Sequence, residues 1–161
     1  MDAHSQETEV VRQLFQKHVP EVASGVVEIR GIAREVGVLS VLVVYSADGA
    51  VFDTVGACVG PRGSRVQEIV RELNGERIEI VRWSDSVESL IGNLVAANRV
   101  LEVSFDDATH VATVTLRPDR TPFPAGAEVP ERVQTARLRL ASRLVGWDIK
   151  IDSQNVGFAF E

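Results

Sequence analysis

The chain has 161 residues, 45% of them hydrophobic and 25% charged, with a formal net charge of −6. That length suits one ordinary domain or two small ones, with enough buried surface to fold without staples, and the single cysteine excludes an internal disulfide or a cysteine-built zinc site. No apolar run approaches the ~20 residues that span a bilayer, and the polar, acidic start MDAHSQETE is no signal peptide, so the expectation is a cytoplasmic protein with no membrane contact.

Val10, Val11, Leu14, Phe15, His18 and Val19 make one apolar helical face over residues 7–19, which Pro20 ends. Ser24-Gly25 precede a strand over 26–34. Gly37 breaks that strand, and the nearly all-apolar VLSVLVVY of 38–45 reads as a strand buried on both faces. Asp48-Gly49 is a turn signal. Val66, Ile69, Val70 and Leu73 lie on one helix face, stopped at Asn74-Gly75, and ERIEIVRW of 76–83 is a strand. Asp85, with Glu88 three residues on, is the expected cap of a helix over 86–97 that buries Leu90, Ile91, Leu94 and Val95.

Strands follow at 100–105 and 111–116, joined by an Asp106–Thr109 hairpin loop. Residues 117–130 hold four of the six prolines and read as an irregular loop. A helix over 131–145 stops at Gly146, and DIKI of 148–151 is a short strand. Helix, Gly and an I-x-I strand therefore occur twice, a weak internal repeat. Trp83 and Trp147 are expected to occupy matching places in the two halves as core anchors. Phe158 and Phe160 belong to a tail.

The chemistry-bearing segment is Gly60-Pro61-Arg62-Gly63. Two glycines in a tight loop let a backbone come close, and the following helix aims its free N–H groups at that loop. Residues 60–67 hold Arg62 and Arg65 and no acid. The order strand, strand, helix, G-x-x-G, helix, strand is that of a KH module, whose loop clamps about four nucleotides of single strand. The overall charge opposes nonspecific nucleic-acid binding, although a binding face can be locally basic. Fifteen of the 17 basic residues are Arg, the exceptions being Lys17 and Lys150; genomic base composition is a sufficient explanation. Cys58 reads as a core thiol. His4, His18 and His110 show no ligand spacing, so no metal, cofactor or enzymatic activity is expected.

VGACVGPRGSRVQ, then NGERIEIVRWSD, then NRVLEV, with VPEVASGVVEIRGIARE upstream and ARLRLASRLVGWDIKI downstream, resemble the KH region of the NusA family of bacterial transcription factors. The resemblance covers roughly residues 14–151. It implies an α+β fold of two packed type II KH modules, each a small sheet covered by helices. The expected divisions are an N-terminal helix and linker at 1–24, a first KH domain at 25–98, a second at 99–152 and a tail at 153–161. It further implies a single-stranded RNA-binding protein modulating transcription elongation, termination or antitermination, with RNA polymerase or other transcription factors as partners. By position, Gly60, Pro61, Arg62, Gly63, Ser64, Arg65 and Gln67 are the expected RNA-binding residues.

Two departures from the family pattern stand out. The polymerase-binding and OB-fold domains that usually precede the KH pair do not appear in this sequence, and the starting Met favours a natural short paralogue over a fragment. The second G-x-x-G would fall on Arg132-Val133-Gln134-Thr135, where there is no glycine, so the second module is expected to be degenerate. Arg132, Arg139 and Arg143 still fall within about 40° on one helix face and offer a secondary RNA contact. The alternative reading is a KH-fold paralogue that binds protein and little RNA.

Overall fold

A computed structural model describes residues 3–48, 53–95, 100–116 and 130–152. Gly49 of the expected turn, nearly all of the proline-rich loop, the end of the helix expected to reach 97, and the tail with Phe158 and Phe160 lie outside the described residues. The chain divides into two units, Met1–Trp83 and Ser84–Glu161.

The first unit opens with α1 (Ala3–His18) and a short α2 (Pro20–Ala23) that starts on Pro20 itself. Proline ends α1 because it cannot continue a helix, yet its fixed φ suits the first position of the next one. Strands β1 (Glu28–Glu35) and β2 (Leu39–Tyr45) pair antiparallel. Next come α3 (Thr54–Val59), a 3-10 turn at Pro61–Gly63, α4 (Ser64–Glu72) and β3 (Arg77–Arg82). Strand β3 lies parallel to β2, giving the order β1-β2-β3. A parallel pair needs a long crossover. Helices α3 and α4 supply it, and the G-x-x-G turn is the corner between them.

Residues Leu39–Val44 are all buried, as a strand covered on both faces requires. One core cluster joins Val11 and Phe15 of α1 to Leu42 and Val44 of β2, Cys58 of α3 and Ile69 of α4. Lys17 and His18 donate to the Glu72 carboxylate, tying α1 to α4, and hold that carboxyl below its usual range, the His18 bond contributing most.

A polar hub supports the sheet. The Glu76 carboxylate is 1% exposed. It accepts from Arg34 Nε and Nη2 at 3.0–3.1 Å, from the Gly37 amide at 2.9 Å and from Ser40 Oγ at 2.6 Å. Arg34 Nη1 also donates to the Glu7 carbonyl in α1 at 2.8 Å. Satisfied on all these sides, the buried charge pins β1, the β1–β2 turn, β2 and β3 together.

The second unit runs α5 (Val87–Val95), β4 (Val100–Asp106), β5 (Val111–Leu116), α6 (Glu131–Val145) and β6 (Asp148–Asp152). Its sheet repeats the first one: β4 antiparallel to β5, β5 parallel to β6. Helix α5 packs on α6 and β4 and so groups with this unit, whereas the boundary expected from sequence lay at 98/99. Ser86, not Asp85, caps α5, its Oγ accepting from the Ser89 amide at 3.2 Å. Leu90, Ile91 and Leu94 are buried as expected, while Val95 is only half-buried. The Asp106 carboxylate accepts from the Ala108 and Thr109 amides and folds the hairpin loop.

The strand registers align the two units and correct the expected match of Trp83 with Trp147. Arg77 pairs with Leu39, and Asp148 pairs with Val111. Trp147 therefore corresponds to Glu76, and Trp83 lies at the opposite end of its strand. Neither indole is fully buried. Trp83 lies 5.1 Å from the Arg30 guanidinium, which stacks over Tyr45 at 3.8 Å. Trp147 stacks on His110 at 3.9 Å and meets Phe105 edge-on at 4.9 Å. Since Phe105 corresponds to Arg34, an aromatic cluster occupies the place of the charged hub.

Candidate nucleic-acid interface

Helix α3 is capped by Asp53, whose Oδ1 accepts from the Gly56 amide at 2.9 Å. Its far end turns at Gly60, with φ 81° and ψ 166°. A side chain there is excluded twice over. The φ is one that L-residues rarely adopt, and a Cβ would stand 2.6 Å from Arg65 Cγ and 2.9 Å from the Arg65 backbone nitrogen. Extended ψ at Gly60 also suits the residue before a proline. Arg62 then adopts φ 57° and Gly63 φ 75°, two successive left-handed residues. Left-handed geometry is uncommon for arginine.

Pro61, Arg62, Ser64 and Gln67 are exposed, and Gly60, Gly63 and Arg65 are partly so. Gly63 donates to the Gly60 carbonyl at 3.0 Å, closing the turn. No side chain caps the start of α4, so its first-turn N–H groups open toward the turn with the positive end of the helix dipole. Among the described residues Arg62 makes no ion pair or hydrogen bond. Arg65 is committed: its Nη1 donates to Glu21 Oε1 at 2.9 Å and to the Ala57 carbonyl at 2.6 Å. Arrayed amides, a helix N-terminus and a free guanidinium can together hold a phosphodiester.

Cys58 is buried in α3 as expected for a core thiol. Burial, and secondarily the Glu21 carboxylate, push its pKa up to about 11, against the opposing pull of Arg65. It stays protonated at neutral pH and offers no nucleophile.

In the second unit, Arg132–Thr135 form the first turn of a regular helix, and Val133 is 2% exposed. At these positions the chain has a packed helix where the first unit has an open turn. Arg132 and Arg139 are exposed and line a shallow groove with Glu131 and Thr135; Arg143, also exposed, does not line it. Among the described residues no group of three or more His, Cys, Asp or Glu side chains is placed to hold a metal, and no helix is long and apolar enough to cross a membrane.

Sequence reasoning missed Glu21, which lies 44 residues from Arg65. Nothing in the local pattern PEVA marks it as part of the turn's support.

Residues 5–83 match the model of the NusA-like first KH domain. A transcription termination/antitermination protein NusA from Halalkalibacterium halodurans is 40% identical over 146 residues, which is 91% of this chain and 36% of that protein. The Bacillus subtilis protein of the same name is 40% identical over 90% of this chain and 37% of its own length. That of Mycobacterium tuberculosis is 39% identical over 88% of this chain and 39% of its length. The chain thus spans little more than a third of these curated relatives. The crystal structure of APE1850 shares the fold, with a TM-score of 0.59 at 19% identity, covering 87% of this chain and 94% of that one. Its two three-stranded sheets, its G-x-x-G corner and these matches together make the chain a member of the NusA family, carrying that family's first KH domain over residues 5–83.

Proposed function

We propose that the chain binds single-stranded RNA through the turn at Gly60–Gly63 and the start of α4, and acts on transcription elongation, termination or antitermination. The observation that carries this reading is the turn itself. Gly60 with its positive φ and the two left-handed residues Arg62 and Gly63 present an uncapped helix N-terminus beside an exposed arginine that makes no ion pair or hydrogen bond among the described residues. The relatives' name supplies the process. RNA polymerase and other transcription factors are the partners to be sought. The working division of the chain stays a first KH domain with the clamp and a second without it.

The narrow turn accepts an unpaired strand and not a duplex. Titration with fluorescently labelled RNA tests this. A-rich or purine-rich single strands, the preference the family resemblance implies, should bind, and a duplex of the same sequence should bind little. Equal binding of both overturns the reading. Binding of neither favours the protein-interaction alternative.

The groove beside Arg132 and Arg139 supports a secondary contact with longer RNA, which Arg143 would extend along α6. Changing all three to Gln should weaken a long single strand more than a four-nucleotide one. The slope of log affinity against log salt should fall by about 0.7 per lost phosphate contact. Equal loss for both lengths, or no loss, removes α6 from the site.

A further inference from the structure

Arg62 and Arg65 stand three residues apart in the same basic segment, yet the structure uses them differently. Arg62 is exposed and makes no hydrogen bond among the described residues. Arg65 is roughly three-quarters covered, with 27% of its side chain accessible, and its Nη1 is shared between the Glu21 carboxylate and the Ala57 carbonyl. We propose that Arg65 is a positioning residue, held by Glu21, which sets the G-x-x-G turn for phosphate without contacting the phosphate itself. This rests on the RNA-binding reading above and extends the site to Glu21 in α2.

The geometry makes Arg65 the floor of the turn. Its Cβ and Cγ fill the space under Gly60 that a Gly60 side chain would need. Its guanidinium reaches back past the turn to the last helical stretch of α3, so one side chain grips both arms of the corner. The far carboxylate is anchored as well, because the Glu21 carbonyl accepts from the Val27 amide at 2.9 Å and fixes α2 against the start of the sheet. The turn needs such a grip. Arg62 holds an uncommon left-handed conformation that is strained for a residue with a Cβ. The turn is closed by the Gly63 to Gly60 hydrogen bond. A turn free to relax would have to be ordered again at each binding event, and that lost freedom subtracts from affinity.

The two possible roles of Arg65 predict opposite signs for Glu21. If Arg65 gripped phosphate, Glu21 would be a competing acceptor, and its neutralisation would tighten binding. If Glu21 holds Arg65 in place, its neutralisation weakens binding.

The test is a salt series of affinities for a purine-rich single strand, comparing the wild-type chain with Arg62→Gln, Arg65→Gln, Glu21→Gln and the Glu21→Gln/Arg65→Gln pair. Arg62→Gln should lower the log–log salt slope by about 0.7, the signature of one lost phosphate contact on a single strand. Arg65→Gln should weaken binding by about tenfold at every salt concentration and leave the slope unchanged. Glu21→Gln should also weaken binding, and the double variant should be no weaker than Arg65→Gln alone. Amide hydrogen exchange gives a second readout without RNA: protection of the Gly63 amide should drop in both single variants while β2 stays protected. A slope reduced by Arg65→Gln, tighter binding by Glu21→Gln, or unchanged Gly63 protection each overturns the proposal and leaves the RNA-binding reading standing. A wild-type chain that binds no RNA overturns both.

Discussion

Gly63→Asp should abolish RNA binding while leaving the fold intact. A Cβ at Gly63 meets only the end of the Gln67 side chain, at 3.5 Å, so there is room for it. The backbone there is left-handed, with φ 75°. Aspartate is among the few residues that visit this region, at a cost of roughly 1 kcal/mol. The chain should therefore still fold. The new carboxylate stands where a phosphate must approach the amides of α4. Like charges placed together in an interface cost several kcal/mol, which is about a hundredfold or more in affinity. Gly63→Ala separates charge from bulk: it should lose less than Gly63→Asp. Fluorescence anisotropy with labelled RNA measures the loss, and a thermal melt followed by circular dichroism confirms the fold. An Asp variant that is folded and binds like wild type removes the turn from the site.

Glu76→Ala should be the most damaging substitution for stability. Glu76 is buried, and Arg34 beside it is only 9% exposed. Removing the carboxylate leaves the guanidinium, the Gly37 amide and the Ser40 hydroxyl facing an empty space. Breaking a buried pair by deleting one partner costs about 3–5 kcal/mol. Replacing both partners by apolar groups costs far less, so Arg34→Met/Glu76→Met should be more stable than Glu76→Ala alone. The second unit already fills the corresponding place with Phe105 and Trp147. Urea unfolding midpoints measure the effect. A shift equivalent to under ~1 kcal/mol for Glu76→Ala contradicts the hub.

The sequence carried most of the fold because its strongest signals are local. The periodicity of Val11 and Phe15, the apolar run of Leu39–Val44 and the glycines at 60, 63 and 146 each act over a few residues. The candidate turn was legible for the same reason. Interactions that join distant segments were not. Arg34 and Glu76 are 42 residues apart, and Glu21 and Arg65 are 44 apart. Each reads locally as one more exposed charge. Arg65 in particular reads locally as interchangeable with Arg62, and only its bonds to Glu21 and the Ala57 carbonyl distinguish the two. The cap of α5 was misplaced by one residue because Asp85 and Ser86 are both good capping types, and only the helix start decides between them. Each tryptophan borders a short apolar–polar alternation, Trp83 after RIEIVR and Trp147 before DIKID, and only the strand register shows that they stand at opposite strand ends.

Backbone amide chemical-shift mapping with a four-nucleotide, purine-rich single strand tests the clamp most directly. A ligand of that length fills one G-x-x-G turn and no more. Shifts should concentrate on the amides of Gly60, Arg62, Gly63, Ser64 and Gln67 and weaken along α4. The helix α6 should stay silent until the RNA is lengthened. Shifts centred on α6 or on the Phe105–Trp147 cluster, with the amides of 60–67 unmoved, would contradict the assignment of RNA binding to this turn.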